Sequence, residues 1–118
     1  MAQGKRASYN TWSFRQVEDD IKERYFKNSA GFYQLKDEVK KLVQFHQVNL
    51  VRDEMPTSRR YLSDMDFIIC RNVFIYFTDE AIARVMEKFF HTLKPNGYLI
   101  TGRDEIKSHT NIYQILEN

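Results

Sequence analysis

Apolar and polar positions alternate with two different periods along the chain, and the switches between them outline its elements. Ser13 and Gln16 have capping-box spacing, and Val17, Ile21 and Tyr25 then recur every four residues, which predicts a first helix starting near Ser13. The turn-rich "KNSAG" (27–31) ends it. "FYQL" (32–35) predicts a short strand, "KDEVKK" (36–41) a brief helical turn, and "VQFHQVNL" (43–50) a second strand with Val43 and Phe45 on one face. "VRDEMPTSRR" (51–60) is a polar loop.

Asp66 then leads into "FIICRN" (67–72), a continuous apolar run of the kind found in parallel strands covered on both faces. The next segment carries the clearest helical pattern. Thr78 is placed to cap, Asp79 and Glu80 suit the positive end of the helix dipole, and Ile82, Val85, Met86, Phe89, Phe90 and Leu93 form one stripe. "KPNG" (94–97) stops it, "YLIT" (98–101) predicts a strand, and "IYQIL" (112–116) a closing one. Strand, helix and strand with short connections make a βαβ unit, hence a parallel pair with a right-handed crossover. The fold class predicted is therefore α/β, with a mixed, mainly parallel sheet and flanking helices.

Composition narrows the picture. At 118 residues and 42% hydrophobic, the chain suffices for one compact domain. We divide that domain into a helix with a small antiparallel subdomain over 13–50 and the βαβ unit with its closing strand over 64–118. Eighteen basic and 16 acidic residues leave a net charge of +2, too balanced for the electrostatic footprint of a nucleic-acid binder. One cysteine and scattered His46, His91 and His109 offer no metal set, and the lone thiol fits a reducing cytoplasmic setting. No apolar run reaches membrane-spanning length, and "MAQGKRASYN" lacks the apolar stretch of an export signal.

In open parallel sheets ligands bind beyond the carboxyl ends of the strands. That zone would collect Asn49, then Arg71 and Asn72, then Gly102 to Glu105. Two readings stand side by side here. In one, Asn49 and Asn72 cap turns and Arg71 pairs with a nearby carboxylate; in the other, the three line a ligand cleft. Cys70, alone in an apolar strand, reads as packing rather than as a nucleophile.

"DFIICRNVFIYFTDEAIARVMEKFFHTLKPNGYLITG" (66–102) closely resembles the second half of the CheR-type chemotaxis methyltransferases, which use S-adenosylmethionine to methylate glutamate side chains of bacterial chemoreceptors. "YNTWSFR" (9–15), "RYF" (24–26) and "VQFHQVNL" resemble the family's preceding segments in the same order. The resemblance implies a partial Rossmann-like fold lacking the first strands. It also implies a binding site for S-adenosylmethionine made by Asn49, Leu50, Cys70, Arg71 and Asn72, of which Asn72 also suits fixing the turn. By the same resemblance Tyr76 lies near the transferring methyl, Tyr76 and Arg71 are the candidate catalytic residues, and "GFYQLKDEVKKLVQF" (31–45) is similar to the piece that docks receptors. The implied partner is a methyl-accepting chemotaxis receptor or a similar protein.

Two departures from the family pattern bear on these expectations. The family's Gly-containing acidic cofactor loop lies upstream of "YNTWSFR", where this chain has eight residues, so we expect the second half of the domain and half of a cofactor site. "GRDE" (102–105) stands where the family has Gly-His-Ser-Glu. An uncovered sheet edge would favour a homodimer. The alternative function is a receptor-binding module that keeps the fold without catalysing.

Overall fold

The computed structural model describes residues 2–55, 62–103, 105, 106 and 113, arranged in two compact units, Met1–Gln47 and Val48–Asn118. The second half of the polar loop and the predicted closing strand over 112–116 lie outside the described residues.

The first unit contains helix α1 (Ala2–Arg6), strand β1 (Ser8–Asn10), a 3-10 turn (Thr11–Phe14), helix α2 (Asp19–Tyr25), strands β2 (Phe26–Ser29) and β3 (Phe32–Leu35), and the short helix α3 (Asp37–Lys40). Its three strands form an antiparallel sheet in the order β1-β3-β2. Buried Phe14 is its centre, with ring centroids 4.7 Å from Phe26 and 4.3 Å from Tyr33. The strand at 32–35 and the helical turn after it fall where the pattern puts them.

Two expectations for this unit are corrected. The helix does not start at Ser13, because the Ser13 amide is taken by the Asn10 side chain at 3.1 Å, which closes a 3-10 turn instead. The α-helix starts at Asp19, where Asp19 and Asp20 supply the acidic first turn. Residues 43–50 are also not a strand. Their apolar alternation has no ladder partner among the described residues, and Val43 and Phe45 are exposed.

The second unit holds strand β4 (Met65–Cys70), a 3-10 turn (Phe74–Tyr76), helix α4 (Asp79–Thr92) and strand β5 (Leu93–Thr101). Strands β4 and β5 pair in parallel, as the βαβ reading requires. Thr78 caps α4 by accepting from the Ala81 amide at 3.2 Å. Ile82, Val85, Met86 and Phe89 turn inward and pack with Cys70 and Phe74 into one core. Phe90, expected in that stripe, is exposed on its flank and meets Tyr113 edge to face at 5.8 Å.

The expectation that both faces of this sheet are covered fails. Ile68 and Leu99 face the core, as does Cys70, but the alternate pairs Phe67/Tyr98 and Ile69/Ile100 are exposed. Phe67 and Tyr98 cover part of that face by stacking at 5.8 Å. The parallel ladder is also interrupted. Leu93 to Tyr98 on β5 spans what Met65 to Phe67 spans on β4, so "KPNG" bulges out between two paired stretches. Asn96 adopts a left-handed φ of 65° there, and a Cβ on Gly97 would lie 3.0 Å from the Lys94 carbonyl oxygen and 3.1 Å from that of Asp66.

Candidate functional site

The site is built at the carboxyl end of β4, where an apolar strand gives way to polar loop residues. A cavity of about 400 Å³ runs along this strand, and Leu50, Cys70 and Arg71 line it together with Phe67, Ile68 and Val73. Consecutive residues from both faces of β4 contribute, which places the cavity beside the edge that β5 does not pair. The structure therefore brings together three of the residues singled out in the sequence. Asn49, Asn72 and Tyr76 are not part of this lining.

Each of those three has a visible local role. Asn49 does not end a strand; its Oδ1 accepts from the amides of Val51 at 3.1 Å and Arg52 at 3.0 Å, which folds the chain into a turn. Its own amide donates to Asp53 Oδ2 at 2.7 Å, and its carbonyl accepts from the Asp53 amide at 2.8 Å. Asn72 takes a left-handed φ of 59°, a conformation asparagine tolerates better than most residues, and so reverses the chain after the strand. Tyr76 is 80% exposed on the 3-10 turn that follows, held there because its neighbour Phe74 is buried beneath.

Arg71 is exposed at the cavity and forms no ion pair with another described residue. A guanidinium beside apolar walls, with no carboxylate partner among the described residues, suits an anionic group brought by a ligand. Cys70 is buried, and its thiol is pushed above the ordinary range, first by burial and then by the nearby Glu105 carboxylate. It is a poor nucleophile for that reason.

Glu105, the last residue of the 102–105 stretch expected at the strand ends, has a structural role that spacing did not reveal. Its carboxylate accepts from the Gly102 amide at 2.7 Å and from the Val73 amide at 3.2 Å. One side chain thus ties the loop after β5 to the loop after β4. The signal available in the sequence was the glutamate that ends "GRDE", in step with the family's Gly-His-Ser-Glu.

The comparisons with known proteins agree on one family. The sequence model described as "CheR methyltransferase, SAM binding domain" matches residues 1–118. The chain belongs to the CheR methyltransferase family. S-adenosylmethionine is accordingly its cofactor. A chemotaxis protein methyltransferase of Borreliella burgdorferi is 35% identical over 85 residues, 71% of this chain and 29% of that protein. Chemotaxis protein methyltransferase 2 of Vibrio cholerae is 35% identical over 102 residues, 85% of this chain and 34% of its own length. A chemotaxis protein methyltransferase of Vibrio anguillarum is 39% identical over 75 residues, 64% of this chain and 26% of that protein. The chain thus spans about a third of the length of these curated relatives. CheR membership implies a methyltransferase fold, and the α/β arrangement of β4, α4 and β5 is consistent with it. No helix among the described residues is long and apolar enough to cross a membrane.

The buried Cys70 thiol and the half-buried Tyr113 hydroxyl should make the stability of this CheR unit fall in alkali. Cys70 and Tyr113 both hold their protons more tightly when folded, Tyr113 being pushed from 10.0 up to about 12 by burial. Below the ordinary thiol value of about 8.5 neither state releases these protons, so folding is unaffected. Above it the unfolded chain deprotonates first and is favoured, and the loss grows until the folded values are passed. Urea midpoints should therefore decline steadily from about pH 9 to about pH 11, with Cys70→Ala flattening the first part and Tyr113→Phe the second. A constant midpoint over that range would contradict the assignment.

Proposed function

We propose that this chain forms part of a protein-glutamate O-methyltransferase of the chemotaxis type, which transfers a methyl group to glutamate carboxylates of a receptor in the cytoplasm. The observation that carries the reading is the shared cavity of Leu50, Cys70 and Arg71, with an Arg71 guanidinium that has no carboxylate partner among the described residues. We read β4 and β5 as neighbouring strands of a Rossmann-like sheet whose strand ends hold the cofactor. The names of the curated relatives support the chemotaxis assignment.

The residues present fit such a group. Leu50, Cys70 and Val73 offer apolar wall, and Arg71 would hold the carboxylate of the methionine portion. Bound there, S-adenosylmethionine supplies an electrophilic methyl on a positively charged sulfur. A glutamate side chain is already ionised at neutral pH, so no base has to remove a proton before its oxygen attacks. What this chain must do is place the carboxylate in line with the methyl and keep water out. Tyr76, standing exposed beside the strand end, is suited to receive and orient the incoming carboxylate with its hydroxyl. Cys70 stays protonated and takes no part in the transfer.

Titration calorimetry with S-adenosylhomocysteine tests the reading. Arg71→Ala should weaken binding by about tenfold or more, the size of one charge-assisted contact. An absence of heat from the wild-type chain at millimolar ligand would defeat the proposal that these residues bind the cofactor by themselves. Transfer of labelled methyl to a glutamate-bearing receptor peptide would separate an enzyme from a module that only binds.

A homodimer completes the proposed partners. The edge of β5 away from β4, which has no ladder partner among the described residues, together with the exposed Tyr98 and Ile100, is the surface that supports it. Sedimentation coefficients should rise with protein concentration; a value that stays constant speaks for a monomer.

A further inference from the structure

We propose that Lys88 is a positioning residue for the cofactor site, setting the Asn49-Leu50 turn against the end of β4. Its ammonium donates to the carbonyl oxygens of Leu50 and Val51, each at 2.9 Å, and of Asp53 at 2.8 Å. An ammonium has three N–H donors, and here all of them go to one five-residue turn. Lys88 makes no ion pair among the described residues, although Asp53 belongs to that turn. The Asp53 carboxylate instead closes the turn internally on the Asn49 amide.

The division of labour follows from which bonds reach outside the turn. The Asn49 side chain and the Asp53 carboxylate fix its internal shape, but both act within residues 49–53. Leu50 and Val51 pack on the core, a contact that resists separation but tolerates sliding and rotation. The Lys88 hydrogen bonds are directional, and they originate on α4, the helix that also packs on Cys70 and Phe74. A single lysine thereby fixes the orientation of Leu50 relative to Cys70 and Arg71 across the cavity that all three line. The first unit uses the same chemistry on a helix end, where Lys36 donates to the carbonyls of Glu23 and Arg24 at 2.9 Å.

This inference rests on the cofactor reading of the preceding subsection, and the test separates the two. Lys88→Met keeps the hydrocarbon stem and removes the donors, whereas Lys88→Arg keeps charge and donors in a planar fork that cannot meet three converging carbonyls as an ammonium does. Tyr113→Phe serves as the stability control, because it removes the hydrogen bond from the Tyr113 hydroxyl to the Met86 carbonyl of the same helix without touching the turn. Amide exchange of residues 49–53 and calorimetry with S-adenosylhomocysteine are measured on all four proteins. We expect Lys88→Met to speed exchange at Val51, Arg52 and Asp53 and to weaken binding by about tenfold, equivalent to about 1.4 kcal/mol, with Lys88→Arg intermediate. Tyr113→Phe should lower the melting temperature and leave both readings alone. Wild-type affinity and exchange in Lys88→Met overturn the positioning role, and equal weakening by Tyr113→Phe reduces it to general stability. A wild-type chain that binds no ligand overturns the cofactor reading instead, before any variant is compared.

Discussion

Replacing Phe74 by alanine should cost the second unit about 3–5 kcal/mol of stability, the usual loss for emptying a buried aromatic position. Phe74 is only 2% exposed, and its ring centroid lies 6.2 Å from Phe77 and 6.3 Å from Phe89. It joins the strand end to α4, so the vacated space has rigid elements on both sides and cannot close easily. Domains of this size are commonly stable by about 5–15 kcal/mol, so the variant would retain little cooperative structure. Urea denaturation followed by tryptophan-independent circular dichroism is the appropriate measurement, since Trp12 lies in the other unit. Phe74→Leu should lose less than half as much. A loss below about 1 kcal/mol for the alanine variant would mean that Phe74 does not anchor the core. The same turn carries Tyr76 outward, so a loose Phe74 also releases the proposed carboxylate-orienting residue.

The second large effect is expected at Glu105. Glu105→Ala would strip the acceptor from two backbone amides, Gly102 and Val73, and should cost about 2–3 kcal/mol, because bonds to a charged group exceed neutral ones and neither amide has another acceptor among the described residues. Glu105→Gln is the sharper variant. It retains the shape but turns an amide N–H₂ toward one of the donors, so it should recover less than half of the loss. Hydrogen exchange resolves the effect by residue: Val73 and Gly102 should both exchange faster, while the α4 amides keep their protection. Unchanged exchange at Val73 would show that the two strand-end loops are held together by other contacts.

Much of the second unit was legible from its residues because independent signals agreed there. At α4 the Thr78 cap, the acidic first turn and the apolar stripe all point to one helix, and β4 and β5 follow from their apolar runs on either side. The stretch 43–50 misled because alternation describes a strand's faces but says nothing of whether a ladder partner exists. The bare face carrying Phe67 and Ile69 was hidden for a related reason, since coverage depends on neighbours rather than on the strand itself. At Ser13 the competing signal was a local one: Asn10 reached the amide first.

The site was legible only in part. Cys70, Arg71 and Leu50 could be placed by motif, and they do share a cavity. Glu105 was expected at the strand ends by its position, but the bonds by which it and Lys88 hold the site's loops could not be read, because their partners are main-chain groups, which every residue possesses and which leave no mark in a sequence. Lys88 reaches a carbonyl 38 positions away, and Glu105 an amide 32 positions away.

The bulge at "KPNG" has a consequence for which side chains the core receives. Side chains on a strand alternate between faces, so a slip of one residue between β4 and β5 would carry Leu99 to the open face and present Tyr98 and Ile100 to α4. The crowding around Gly97 guards against such a slip, since a Cβ at that point would press on the Lys94 and Asp66 carbonyl oxygens at 3.0 and 3.1 Å, and a larger residue would require that backbone to shift. Of all the positions in this strand, the bulge's glycine fits that gap without displacing backbone, so it acts as an index mark: it favours one count of residues from the helix to the strand end, and with it the alignment of Thr101 beside Cys70.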